Sequence, residues 1–128
     1  MALSSVHIPL QAFTHKDILL NNSPEQIGED DTATIVYSGE IDNSGNTAAV
    51  YLKLYDSVGA PAVGTAVPEM VLKVAAGEKR PFTLMNSDGT AWTSPAGTTE
   101  LWAACVTTGG TAGTTSPTNA VKATFHTD

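Results

Sequence analysis

The sequence predicts an all-β protein: a single β-sandwich of about seven to eight short antiparallel strands, immunoglobulin-like or jelly-roll, with an N-terminal arm. Three observations carry that prediction. Apolar residues recur with period two in several short stretches, as they do where alternate side chains face a core. Clusters of Gly, Pro, Asn, Asp and Ser separate those stretches at intervals of about ten residues. No stretch has the period of an amphipathic helix of ordinary length, and no alternation of strand and helix suggests a parallel sheet.

The first stretch, Ser4–Gln11, alternates Val6, Ile8 and Leu10 against Ser5, His7 and Gln11. Pro9 cannot donate to a ladder, so an edge strand or a docked arm is expected there. Asp17–Leu20 reads as a short strand or a helical turn, broken by Asn21-Asn22-Ser23-Pro24, and Glu25–Asp31 reads as an acidic loop. These assignments divide the chain into an arm with its loop, 1–30, packed on a sandwich, 31–128. In Thr32–Asp42 the residues Ala33, Ile35, Tyr37 and Ile41 are assigned to the inner face, with Gly39 marking a bulge or a close approach.

The most legible strand is Ala48–Asp56, AAVYLKLYD. Val50, Leu52 and Leu54 define a buried face, and Tyr51, Lys53 and Tyr55 are assigned to an outward one. On that reading Leu52→Asp abolishes folding and Lys53→Asp is tolerated. Turn chemistry at Asn43–Asn46 precedes the strand, as a hairpin or as an arch between two sheets. Glu69–Ala75, with Met70, Leu72 and Val74 inward, and Arg80–Met85, with Phe82 and Leu84 inward, follow it. Asn86–Gly97 reads as loop. Thr99–Thr107 is almost continuously apolar from Leu101 to Val106, which predicts a central strand covered on both faces. Thr108–Thr118 is composed of Gly, Thr, Ala, Ser and Pro and reads as a loop that is mobile or braced from outside. Val121, Ala123 and Phe125 face inward from a last strand.

At 128 residues the chain has the length of one domain, and 41% hydrophobic residues suffice for a core. A net charge of −7 with no basic cluster argues against nucleic-acid binding. No run approaches the roughly 20 apolar residues of a membrane span. The start, MALSSVHIPLQAF, lacks the basic and apolar regions of a signal peptide, so a protein made and used without export is expected. Cys105 is the single cysteine and stands among apolar neighbours, hence a buried and inert thiol.

Residues for chemistry are sparse. His7, His15 and His126 lack the spacing of a zinc site. Glu29-Asp30-Asp31 reads as a solvated acidic loop because its spacing matches no calcium loop. Glu40, Asp42, Asp56 and Glu69 are the acids a hydrolase would have to pair, yet nothing raises one above the rest. No nucleophile elbow, phosphate loop or cofactor fingerprint is present. A protein that is not an enzyme, with no cofactor and no metal, is expected. Trp102 reads as core and Trp92 as a loop aromatic available to a partner, as are Tyr51 and Tyr55.

Tyr51-Leu52-Lys53-Leu54-Tyr55-Asp56, followed by Pro61, Val63-Gly64-Thr65, Pro68, Leu72, Val74, Ala76-Gly77, Phe82 and Leu101-Trp102, forms a string that resembles small virion proteins of tailed bacteriophages. The resemblance implies a capsid decoration or cement subunit on the outer capsid surface of the virion. Its partner would be the major capsid protein, it would form a homo-oligomer, and it would be made in the host cytoplasm. A carbohydrate-binding or host-adhesion module of a tail or fibre is the alternative, with the aromatics stacking on sugar rings. Candidate partner contacts are Val6, His7 and Ile8 in the arm, Tyr51, Tyr55 and Trp92, and Thr111 and Thr114 in the glycine-rich loop. The arm could add a strand to a neighbour.

Overall fold

A computed structural model of the chain describes residues 14–28, 34–85, 88, 92–93 and 100–127. The arm contacts Val6, His7 and Ile8, and the acidic loop at 29–31, lie outside these residues. Among the described residues nine strands run in the order β1 (Thr14–Leu20), β2 (Glu25–Gln26), β3 (Ile35–Asp42), β4 (Val50–Ser57), β5 (Met70–Val74), β6 (Lys79–Thr83), β7 (Trp92–Thr93), β8 (Glu100–Val106) and β9 (Val121–Thr127). All pairings are antiparallel. One sheet has the order β1-β9-β3-β6, with β7 also paired to β3; the other has the order β2-β8-β4-β5. The fold is a β-sandwich.

The pairings are nested. β4 pairs β5, β3 pairs β6, β2 pairs β8 and β1 pairs β9. A chain doubled into one long antiparallel ribbon, with its bend between β4 and β5, and then wound so that β3 meets β9 and β4 meets β8, gives this order. That winding is a jelly roll rather than an immunoglobulin arrangement. β1 and β2 are members of the two sheets, so part of 1–30 belongs to the sandwich itself. Glu25-Gln26 within the expected acidic loop, and Trp92-Thr93 within the expected loop 86–97, are short strands.

The core between the sheets is built as the alternation dictates. Val50, Leu52 and Leu54 of β4 meet Leu101, Ala103 and Cys105 of β8, facing Val36 and Ile41 of β3, Phe82 of β6, and Val121, Ala123 and Phe125 of β9. Met70 and Leu72 of β5 are partly buried against this cluster, and Leu84 closes it after β6. Phe82 and Phe125 pack edge to face, 5.9 Å between ring centroids and 66° apart, the geometry that aromatic quadrupoles favour. β3 departs from the simple alternation: its register with β9 shifts between Val36 and Ser38. The bulge puts Val36 inside and returns Gly39 and Ile41 to the inner face, so Ile35 and Tyr37 are only half-buried. Gly39 is a close approach as well. A Cβ there would fall 2.3 Å from the Thr124 carbonyl and 2.5 Å from the Phe82 ring.

Two cations close the open sides of the sandwich. Lys16 of β1 donates to the Gln26 and Ile27 carbonyls across one pair of edges, at 2.8 and 3.3 Å. Arg80 of β6 donates to the Lys73 carbonyl of β5 across the other, at 2.9 Å. The outer face of the first sheet carries polar residues: Asp17 accepts from Thr124 at 2.6 Å, Ser38 meets His126 Nδ1 at 2.9 Å, and Asp42 approaches Lys79. The outer face of the second sheet is different.

Candidate functional site

β4 and β8 are buried on both faces. On the core side stand the aliphatic residues already named. On the outer side, register places Tyr51 opposite Val106, Lys53 opposite Ala104, and Tyr55 opposite Trp102. The alternation assigns this side to solvent. Instead Lys53 is fully buried and Tyr55 is 1% exposed. Over Lys53 the cause is a third layer: the loop 107–118 folds back over the sheet.

Lys53 holds that layer. Its ammonium donates to the Gly110 carbonyl and, at 3.1 Å, to the Gly113 carbonyl. Ala104, directly across, has only a methyl to place beside the long lysine stem. Burial pushes the Lys53 ammonium below its usual value, because the low-dielectric surroundings disfavour its charge. Gly109 lies on the Tyr51 ring, where a Cβ would come within 2.9 Å of the ring edge. The Lys73 ammonium stands 6.0 Å from the Tyr51 centroid.

The loop is also tied along its length. Thr107 donates its amide to the Thr115 carbonyl at 2.9 Å, and Gly113 to Gly110 at 3.4 Å. From the β1–β2 arch, Asn22 donates to the Thr114 carbonyl at 3.0 Å and to Ser116 Oγ at 3.1 Å. The Thr114 methyl stands against Gly64 of the 58–69 segment. The loop is therefore braced from within the molecule. Val58 and Val67, 74% and 75% exposed, project from that neighbouring segment.

Of the expected contacts, Tyr51, Tyr55, Thr111 and Thr114 gather on this one side of the molecule. Tyr55 does so as a buried residue, and burial raises its phenol above the ordinary value. Tyr51 is half-buried under the loop; Thr111 is partly covered and Thr114 exposed. Trp92 has its backbone paired to Val36, and its side chain lies outside the described residues. Lys53, like Tyr55, is assigned to solvent by the alternation and is buried instead, so Lys53→Asp is not a tolerated change. Its signal was indirect: a strand predicted to be covered on both faces, β8, lies beside β4.

The acids do not converge. Glu40 and Asp42 stand on β3 in one sheet, whereas Asp56 and Glu69 flank the β4–β5 turn of the other. The described residues contain no cluster of three or more His, Cys, Asp or Glu with metal-binding proximity. Cys105 is buried in the core, and its thiol is pushed up to about 12 by burial, so it stays protonated and unreactive at neutral pH. Among the described residues no helix is long and apolar enough to cross a membrane.

No protein-family model, curated protein or solved structure matches the chain.

Proposed function

We propose that this protein is a structural subunit of a bacteriophage virion, a decoration or cement protein that braces neighbouring major capsid proteins on the outer capsid surface. The observation that supports it best is the loop layer on the second sheet. Loops 58–69 and 107–118 are set against each other before any partner arrives, the second pinned by Lys53 and Asn22, with Val58, Val67 and Thr114 on the surface. A preorganised surface with apolar tips loses little entropy on docking, which suits a brace repeated many times on one particle. The string Tyr51–Asp56, which resembles phage virion proteins, forms the strand under this layer.

The jelly roll serves both viral coat and lectin domains, so fold alone does not choose between bracing and sugar binding. Side-chain placement favours bracing. Sugar stacking needs open aromatic faces, and Tyr55 is buried while Tyr51 lies under Gly109. Partnership with the major capsid protein and self-association belong to this proposal.

Immunogold labelling of purified virions of the encoding phage tests it. Label distributed over the heads is the expected result. Label confined to tails or fibres would favour the adhesion alternative, and absence from virions would overturn the proposal.

A further inference from the structure

Tyr55 and Trp102 face each other across the β4–β8 ladder on the outer side of the second sheet. The Tyr55 hydroxyl and the Trp102 indole N–H are both sealed from bulk solvent, and neither has a hydrogen-bond partner among the described residues. Leaving one such group unsatisfied costs on the order of 1–3 kcal/mol, so two on directly paired residues are not left bare in a stable fold. From this pair we infer a buried hydration site, in which ordered water bridges Tyr55 Oη and Trp102 Nε1 on the outer side of the second sheet.

The chemistry of the surroundings selects the occupant. An indole N–H only donates, so whatever sits there must accept. Lys53, the next residue along this face of β4, is donor-only, and its ammonium is directed to the Gly110 and Gly113 carbonyls. It cannot serve the indole. Glu100, the next residue along the same face of β8, is buried and accepts from the Gly59 amide at 3.0 Å. Its carboxylate disfavours an anion in this space, as Lys53 disfavours a cation. A neutral molecule that accepts and donates fits both partners. Water is the smallest, and a site sealed at both polar atoms suits it. The phenol, kept protonated by burial, can donate to that water or accept from it.

The test is a rotating-frame NMR measurement on the intact protein, with the two tryptophan indole signals assigned through Trp92→Phe. The Trp102 indole proton is expected to show a dipolar cross-peak to water, opposite in sign to chemical exchange, that weakens in Tyr55→Phe. The same variant is expected to melt about 4 °C lower, since it removes one anchor of the water and leaves the other. An indole proton with no dipolar contact to water in the wild type overturns the inference, whether or not the variant folds. So does a Tyr55→Phe protein that melts at or above the wild-type temperature, because deleting an unsatisfied hydroxyl is neutral or stabilising.

Discussion

Lys53 occupies a position where charge, burial and partner geometry all bear on one side chain. A lysine in a buried strand face costs desolvation, which its two loop carbonyls offset only in part, as its depressed ionisation indicates. Lys53→Asp would set a carboxylate against those carbonyls with no donor between them. We expect it to lose about 3–5 kcal/mol in a denaturant titration, the usual cost of an uncompensated buried charge. Lys53→Met keeps the stem and removes the charge, so its global stability should stay within about 1.5 kcal/mol of wild type. Its loop 107–118, however, should become cleavable by protease.

The pH dependence separates the two terms at this lysine. Because the folded-state value lies below 10.5, the unfolded chain binds more protons in the window beneath 10.5. Stability contributed by this group therefore rises as pH rises through that window. Wild type should gain on Lys53→Met when both are titrated with denaturant at stepped alkaline pH, and a constant difference would refute the buried-ammonium account. The residue escaped the sequence because a polar residue in an alternating strand reads as outward. Period two distinguishes two faces; it does not say which of them is open. The apolar run Leu101–Val106 carried that information one strand away.

At the scale of elements, the arches between the sheets are held by asparagines. Asn43 is fully buried and donates to the Ala48 and Ala75 carbonyls, both at 3.0 Å. Its own oxygen accepts from Asn46 at 2.9 Å, and Asn46 in turn exchanges bonds with the Asn119 backbone at 2.8 and 2.9 Å. Three crossovers, β3 to β4, β5 to β6 and β8 to β9, are thereby joined at one end of the sandwich. Asn43→Ala strands two carbonyls and one amide donor, so we expect a loss of about 2–4 kcal/mol, read from the denaturation midpoint. A loss under about 0.5 kcal/mol would show that the arches hold without the network. The turn residues were visible in the sequence. Whether they made a hairpin or an arch was not, because the decisive partners, Ala75 and Asn119, lie far along the chain. Gly39 signalled a bulge or a close approach in β3, but only β9 fixes where the register slips, between Val36 and Ser38.

For the whole molecule, the longer strands from β3 onward were legible and their order was not. Alternation in Val50–Leu54, Met70–Val74 and Val121–Phe125 is written locally, whereas nesting depends on pairings such as Leu20 with Val121 that span nearly the entire chain. The nested order makes β9 a keystone despite its terminal position. It lies between β1 and β3, is the sole strand partner of β1 among the described residues, and contributes Val121, Ala123 and Phe125, all fully buried. Burying two such large side chains is worth roughly 1.5–3 kcal/mol each, against a total of about 5–15 kcal/mol for a domain. Their loss, with that of two ladders, exceeds what the remaining sheet can supply. A chain ending at Thr118 is therefore expected to lack near-ultraviolet circular dichroism and to show no cooperative melt. A truncated protein that still melted cooperatively would mean that the second sheet and its loop layer fold without the first, and that the nested ribbon is not the cooperative unit.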